Sequence, residues 1–258
     1  MKQSIVEKTS RFAIWSARLV LLSLPLLIIA AIGQRSGLME ATATYGVIAL
    51  AFSLAALGVI AAIAGFEAIW REGRKGLGAA LAGLLLGLAV LSVPAVGAWM
   101  LVSNPRLTDI STDPDDPPYF AMAFADRPAD ANRISRPGEE EAAIQREAWP
   151  DIVPRHYPLD TVAVFGAVAA IVEDRRWTVL DSRPPANSGE TGRIEAVAQT
   201  LLFGFRQDVV IRVAPDGEGT LVDMRSAARY GAHDLGADAE RIRAFFRDLD
   251  AALRGMGA

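Results

Sequence analysis

Three long apolar runs within the first 101 residues limit this chain more than any other feature of its sequence. The first, Leu19 to Gly33, is free of charge and reaches spanning length if Phe12 to Ala17 are included and Arg18 snorkels to an interface. The second, Tyr45 to Phe66, would make a helix of roughly 33 Å, enough to cross a hydrocarbon core of about 30 Å. The third runs from Leu77 to Leu101 and tolerates Ser92 and Pro94. Trp15, Trp70 and Trp99 fall near the ends of these runs, where an amphipathic indole favours the headgroup region. The sequence therefore predicts three transmembrane helices at about 12–33, 45–66 and 77–101. A cleaved signal peptide is the weaker alternative for the first run.

Charge divides the chain at the same place. Up to Leu101 there are 8 Lys+Arg against 4 Asp+Glu, and the remainder carries 18 against 26. Lys2, Lys8, Arg11 and Arg18 lie at or before the first run, and Arg71, Arg74 and Lys75 fill the loop after the second. The loop between the first two holds Arg35, offset by Glu40. Under the positive-inside rule the N-terminus is cytoplasmic and everything after Leu101 lies on the outer side. The preference for Arg over Lys, with abundant Ala, points to GC-rich bacterial coding. The expected location is thus a bacterial inner membrane, multi-pass, with a periplasmic C-terminal domain. The acidic second half is unsuited to nucleic acid, and the absence of cysteine excludes disulfides, thiolate metal sites and cysteine nucleophiles.

The cores of the apolar runs hold no ionisable residue of the kind that marks a transport path. An anchor is expected rather than a conduit. Ala79, Gly83 and Gly87 form a small-residue ribbon on one face of the third helix. Packing within the chain is the favoured reading, and homo-oligomerisation through that face is the alternative.

Nine of the fourteen prolines lie from Pro105 to Pro158, so residues 102–150 read as a tether or wrapping segment, with a short helix near Glu139 to Glu147. Tyr119-Phe120 and Ile152-Val153 are apolar enough to pack on the C-terminal domain. From 151 to 258 the periodicity predicts an α+β domain: a helix to about Arg175, four antiparallel strands, and a helix over about 239–253 capped by Asp238. The strands are 177–182, 193–200, 208–214 and 220–226, with a turn at Asp216-Gly-Glu-Gly219. One sheet face would be polar, with Glu195, Arg212, Asp223 and Arg225, and is expected to be a solvated ladder of ion pairs, with a binding face for an anionic or polar ligand as the alternative.

The densest polar segment is Arg225-Ser-Ala-Ala-Arg-Tyr-Gly-Ala-His-Asp-Leu-Gly236. Ser226, His233 and Asp234 allow a hydrolase reading, but no G-x-S-x-G elbow surrounds the serine. The two histidines, His156 and His233, have no metal-ligand spacing, and no phosphate-cradling loop is present, so neither metal nor other cofactor is expected. As a strand-to-helix connection, most of the segment is explained by Gly231, Gly236 and the acids near the helix start. Arg225 and Arg229, flanking Ser226, are expected to pair with carboxylates of the chain, or equally to grip a carboxylate or phosphate ligand.

Arg193-Ile-Glu, Phe203-Gly-Phe-Arg-Gln-Asp208-Val-Val, Arg225-Ser226 through Arg229, Gly231, Asp234-Leu-Gly236 and Arg241-Ile242 form an ordered string. It resembles the bacterial and plastid family known as domain of unknown function 1499, over roughly 150–252. Three membrane spans ahead of the domain are similar to one architecture in that family. Gln207-Asp208 stands where the family usually has two acids, Ala228 where it has a second serine, and Asp238 where Asn is common; the Cys-containing entry motif is missing. These departures argue against a serine- or cysteine-based mechanism. The resemblance implies a fold and a location but no activity.

The leading expectation is a non-catalytic envelope protein whose domain binds a partner protein, lipid or small anionic ligand. The candidate site is Arg225, Ser226, Arg229 and Asp234, with Asp208 and Phe205 nearby. An envelope hydrolase using Ser226, His233 and Asp234 is the second hypothesis, and a structural or assembly protein self-associating through the third helix is the third.

Overall fold

A computed structural model describes residues 8–255, so the expected cytoplasmic charge at Lys2 lies outside the described residues. The chain forms two compact units. Along with the three residues Leu202–Gly204, the first groups α1 (Arg11–Ser36), α2 (Ala41–Glu72) and most of α3 (Leu77–Ser103), each long and apolar enough to cross a membrane. They enclose the three stretches expected from the sequence. Ser10 starts α1 by accepting a hydrogen bond from the Ala13 amide, and Gly37 ends it in the left-handed region at φ 74°.

Small residues let these helices approach. A Cβ on Gly58 would stand 2.5 Å from Val20 Cγ2, and one on Gly87 2.5 Å from Val59 Cγ2. At Gly83 it would meet Ser16 Oγ at 2.4 Å and the backbone nitrogen of Ala17 at 2.9 Å. Ser16 also donates toward the Ala79 carbonyl, so the ribbon of Ala79, Gly83 and Gly87 includes close contacts within its own chain. Leu21, Ile28, Leu57, Ile60, Leu85 and Trp99 point outward instead. Apolar side chains outside and small ones inside invert the usual soluble arrangement, as packing in an apolar solvent favours.

The second unit contains β1 (Asp109–Ser111), α4 (Ala123–Asp126), α5 (Glu139–Ala148), β2 (Arg155–Tyr157), α6 (Thr161–Asp174), β3 (Thr178–Arg183), β4 (Gly192–Gln199), β5 (Arg206–Asp216), β6 (Gly219–Ala228) and α7 (Ala237–Arg254). All strand pairs are antiparallel, in the order β1-β6-β5-β4-β3, with β2 on the other end of β6. The sheet thus has six strands where four were expected. The two additional strands are three residues each and come from the Pro-rich region, too short to show a period of two.

Helices α6 and α7 cover one face. Val209, Ile211, Val213, Val222, Met224 and Ile194 meet Val164, Val168, Phe245, Phe246 and Leu249 in the main core. Each such side chain, fully buried, contributes about 1.5–3 kcal/mol. Residues 102–150, expected as a tether or wrapping segment, are largely part of this unit. Gln145 on α5 shows how: its amide accepts from the Ser111 N–H at 3.1 Å and donates to the Ser111 carbonyl at 2.7 Å, imitating a neighbouring strand. Between β1 and α5 the chain crosses the second sheet face as a strap. The polar face is therefore covered rather than solvated, and Glu195, Asp223 and Arg225 are buried beneath it.

Candidate functional site

Alternation along β4, β5 and β6 puts Arg193, Glu195, Arg212, Asp223, Arg225 and Asp208 on the strap side of the sheet. Charges in such a place need close partners, because desolvating an unpaired one costs several kcal/mol. Here the strap supplies them. The Glu195 carboxylate accepts from three successive backbone amides, Ala121 at 2.9 Å, Met122 at 2.9 Å and Ala123 at 2.6 Å, where α4 begins. Arg225 forks onto both oxygens of Asp109 at 2.8 and 2.6 Å and also donates to the carbonyls of Pro118 and Ser135. Its guanidinium lies 5.0 Å from the centre of the Phe120 ring. Arg212 joins Asp223 at 2.9 Å to Asp116 at 2.7 Å.

The last clamp is the deepest. Arg229, fully buried, holds Asp208 Oδ1 at 2.6 Å and Asp126 Oδ2 at 2.6 Å, and Arg127 binds the same Asp208 carboxylate. Burial opposes the charge on Arg229, but the carboxylates of Asp208 and Asp126 outweigh it and hold its pKa above the ordinary value. For Asp109 and Asp223 the balance goes the other way: desolvation outweighs the neighbouring arginine and raises each carboxyl above its usual range.

Glu195→Ala removes the acceptor for three amides at once. The expected result is a loosened strap, cleaved faster between 117 and 128 by limited proteolysis, with a stability loss of about 1.5–3 kcal/mol. Unchanged cleavage kinetics would show that the strap is held without it.

Pinned from below, the strap turns other side chains outward. Tyr119 is 63% exposed and Phe124 60% exposed, with Met122 beside them. Two shallow cavities of about 240 Å3 flank Tyr119. One is walled by Tyr119, Phe120, Phe124 and Ile134 and rimmed by Arg136 and Arg225; the other is bounded by Pro118, Tyr119, Arg183, Arg193 and Arg212. Arg193 lies 4.7 Å from the Tyr119 ring centre, so the aromatic ring is stacked on a paired cation and held in place. An apolar ledge with arginines on both sides suits a ligand that is apolar in one part and anionic in another.

The candidate residues from the sequence divide between the two sheet faces. Arg225, Arg229 and Asp208 lie under the strap, and of these Arg225 reaches a cavity wall. Ser226 faces α7, where its hydroxyl donates to Asp238 Oδ1 at 2.6 Å and accepts from Arg241 at 3.1 Å. Asp234 caps α7, accepting from the Gly236 and Asp238 amides at 2.9 and 2.8 Å, a role expected of Asp238. Asp238 turns inward because Ser226 and Arg241 offer it partners there. Phe205 is half-buried in the β4–β5 turn. His233 Nδ1 accepts from the Leu235 amide, and its Nε2 lies 3.1 Å from the Asn104 carbonyl. Among the described residues no hydrogen bond joins Ser226 to His233, and no group of three His, Cys, Asp or Glu could hold a metal ion.

Burial pushes the Asp238 carboxyl up to about 7, against the opposing pull of Arg241, and its Oδ2 has no hydrogen bond among the described residues. An unfolded aspartate ionises near 3.9. Between about pH 4 and 7 the folded protein therefore holds a proton that the unfolded chain releases, so stability from this group falls as pH rises through that window and is level above it. Asp238→Asn is expected to flatten this slope in melting curves from pH 5 to pH 8. An unaltered slope would assign it to other groups.

The strap residues Tyr119 and Phe124, and Glu195 on β4 that holds the strap from below, were not singled out as a unit by the sequence. The available signal was an aromatic pair in a Pro-rich stretch, where solvated loops seldom carry aromatics.

The sequence profile of a family described as proteins of unknown function, DUF1499, matches residues 109–249, more than half of the chain. The chain belongs to the DUF1499 family. The match begins at the first residue of β1 and ends within α7, so the DUF1499 domain includes the strap and both short strands. A search of curated proteins returns no match.

Proposed function

We propose that this DUF1499 protein is anchored in a bacterial inner membrane by α1–α3 and holds its domain in the periplasm, where it binds an amphiphilic anionic ligand without catalysis. The observation that carries the binding reading is the ledge of Tyr119 and Phe124, exposed on a strap whose underside is fixed by Glu195, Arg225 and Arg229. Solvent-facing aromatics on a rigid support are a feature of binding surfaces, because little side-chain freedom is lost on contact. Exposed Arg136 and Arg183 would meet the anionic part, and Tyr119, Phe124 and Ile134 the apolar part. The membrane reading is supported by three apolar helices and by the positive charges at Lys8, Arg11, Arg71, Arg74 and Lys75.

A photo-crosslinking residue in place of Phe124, activated in intact cells, tests the ligand. Lipid or other amphiphile adducts, lost when Arg136 and Arg183 are both changed to Ala, are the expected result. Adducts confined to proteins would replace the amphiphile with a protein partner, and a yield no higher than from exposed Val162 on α6 would end the binding reading. Reporter fusions after Leu101 test the orientation: activity of a cytoplasm-specific reporter there would reverse it.

A further inference from the structure

The two long hairpins of the DUF1499 sheet end in opposite chemistry. The β5–β6 turn is Asp216-Gly-Glu-Gly219, as expected of a turn in water. The β4–β5 turn is Thr200-Leu-Leu-Phe-Gly-Phe205, with Leu201 89% and Leu202 60% exposed. This is a built turn: the Thr200 amide donates to the Phe205 carbonyl at 3.0 Å, the Phe205 amide to Thr200 Oγ1 at 2.9 Å, and Gly204 takes φ 73°. Two adjacent, exposed leucines at such a tip need a reason.

Sheet register supplies one. Asp109 of β1 pairs with Ala227, Ala227 with Asp208, and Asp208 with Val197. The start of β1 and the β4–β5 tip therefore lie at one end of the sheet, and the polar β5–β6 turn at the other. The chain enters β1 from Ser103, the last residue of α3, through residues 104–108 alone. Five residues reach at most about 18 Å. The end of the sheet bearing the leucines is thus the end at which the chain arrives from α3, after a connection of five residues. Arg106 lies in this connection and Arg206 opens β5 beside the tip, giving that end cations suited to lipid phosphates.

We infer that Leu201, Leu202 and Phe203 enter the interfacial layer of the bilayer spanned by α1–α3, fixing the domain against the membrane by a second point besides its covalent link. This rests on the reading of α1–α3 as membrane-spanning. The occupant is the boundary between headgroups and acyl chains, which apolar residues penetrate by about 5–10 Å. Motion of the domain about the 104–108 connection would then be restricted.

The chain lacks cysteine, so single-cysteine variants of the full-length protein can be labelled cleanly. Leu202→Cys, Glu218→Cys and Leu86→Cys, each carrying an environment-sensitive dye, would be reconstituted in vesicles of phosphatidylethanolamine and phosphatidylglycerol. Lipid spin-labelled near its headgroup should remove about half of the emission at position 202, in keeping with interfacial depth. It should leave position 218, roughly 30 Å along the strands, unchanged. Lipid labelled deep in its acyl chain should quench position 86. Quenching at 86 with none at 202 would overturn the inference and leave the spanning reading standing. No quenching at 86 would overturn both.

Discussion

Asp208→Ala is expected to destabilise the domain by about 3–5 kcal/mol, because it strands a cation with no access to water. Arg229 is fully buried, and Asp208 accepts from both its Nε and its Nη2 as well as from Arg127. Asp126 would remain, but it is partly exposed and meets one end of the guanidinium. Asp208→Asn should do less damage, since it keeps an acceptor while losing the charge. Chemical denaturation of the full chain in detergent, followed by tryptophan emission, measures the loss. Combining Asp208→Leu with Arg229→Met supplies the decisive comparison. Removing both charges should recover part of the stability, as exchange of buried ion pairs for apolar residues often does. A double variant no more stable than Asp208→Ala would mean that the network contributes by its geometry and not by charge balance.

Gly83→Leu should have the largest effect in the helical unit. The added Cβ alone would lie 2.4 Å from Ser16 Oγ and 2.9 Å from the Ala17 backbone nitrogen. A side chain can rotate away, but the backbone of α1 cannot without moving the helix. Overpacking of this kind costs about 1–3 kcal/mol where neighbours yield and more where they do not. The expected outcome is a lower melting temperature in detergent, independent of protein concentration. Gly83→Ala should show a weaker form of the same loss, while Gly78→Ala, whose Cβ meets nothing within 4 Å, should show none. Concentration-dependent melting of the native chain, abolished by Gly83→Leu, would shift the ribbon to a contact between copies.

Much of the fold was legible because periodicity is a local property. The apolar runs marked α1–α3 to within a few residues at most ends, although α2 extends beyond its run through Glu67 and Arg71, which form an exposed ion pair. The alternation of Ile194, Ala196 and Ala198 located β4, and the stripe of Ile242, Phe245, Phe246 and Leu249 located α7. What did not show were features held together by distant partners. β1 and β2 are recognisable through their pairing with β6, and Arg155–Tyr157 has no pattern of its own. The same holds for the site. Arg225 and Arg229 were expected either to pair with carboxylates or to grip an anion, and they pair; their partners Asp109 and Asp126 lie more than a hundred residues earlier, so the sequence did not name them. Charges on alternate strand positions look alike whether water or a strap covers them. Glu195 shows the difference most clearly, since its partners are backbone amides that carry no residue identity.

The strap also sets an order of events during synthesis. β6 is the partner of β1, β2 and β5, and its last residue is Ala228. Residues 109–157 therefore emerge from the ribosome well before the strands that complete their pairing, and loop closure across more than a hundred residues is slow. Their prolines and acids suit that interval, since both discourage premature strand association. Closure of the strap then becomes a late step that waits for the hairpin of β5 and β6, and a nascent chain arrested before about 228 should leave the whole of 109–157 open to protease.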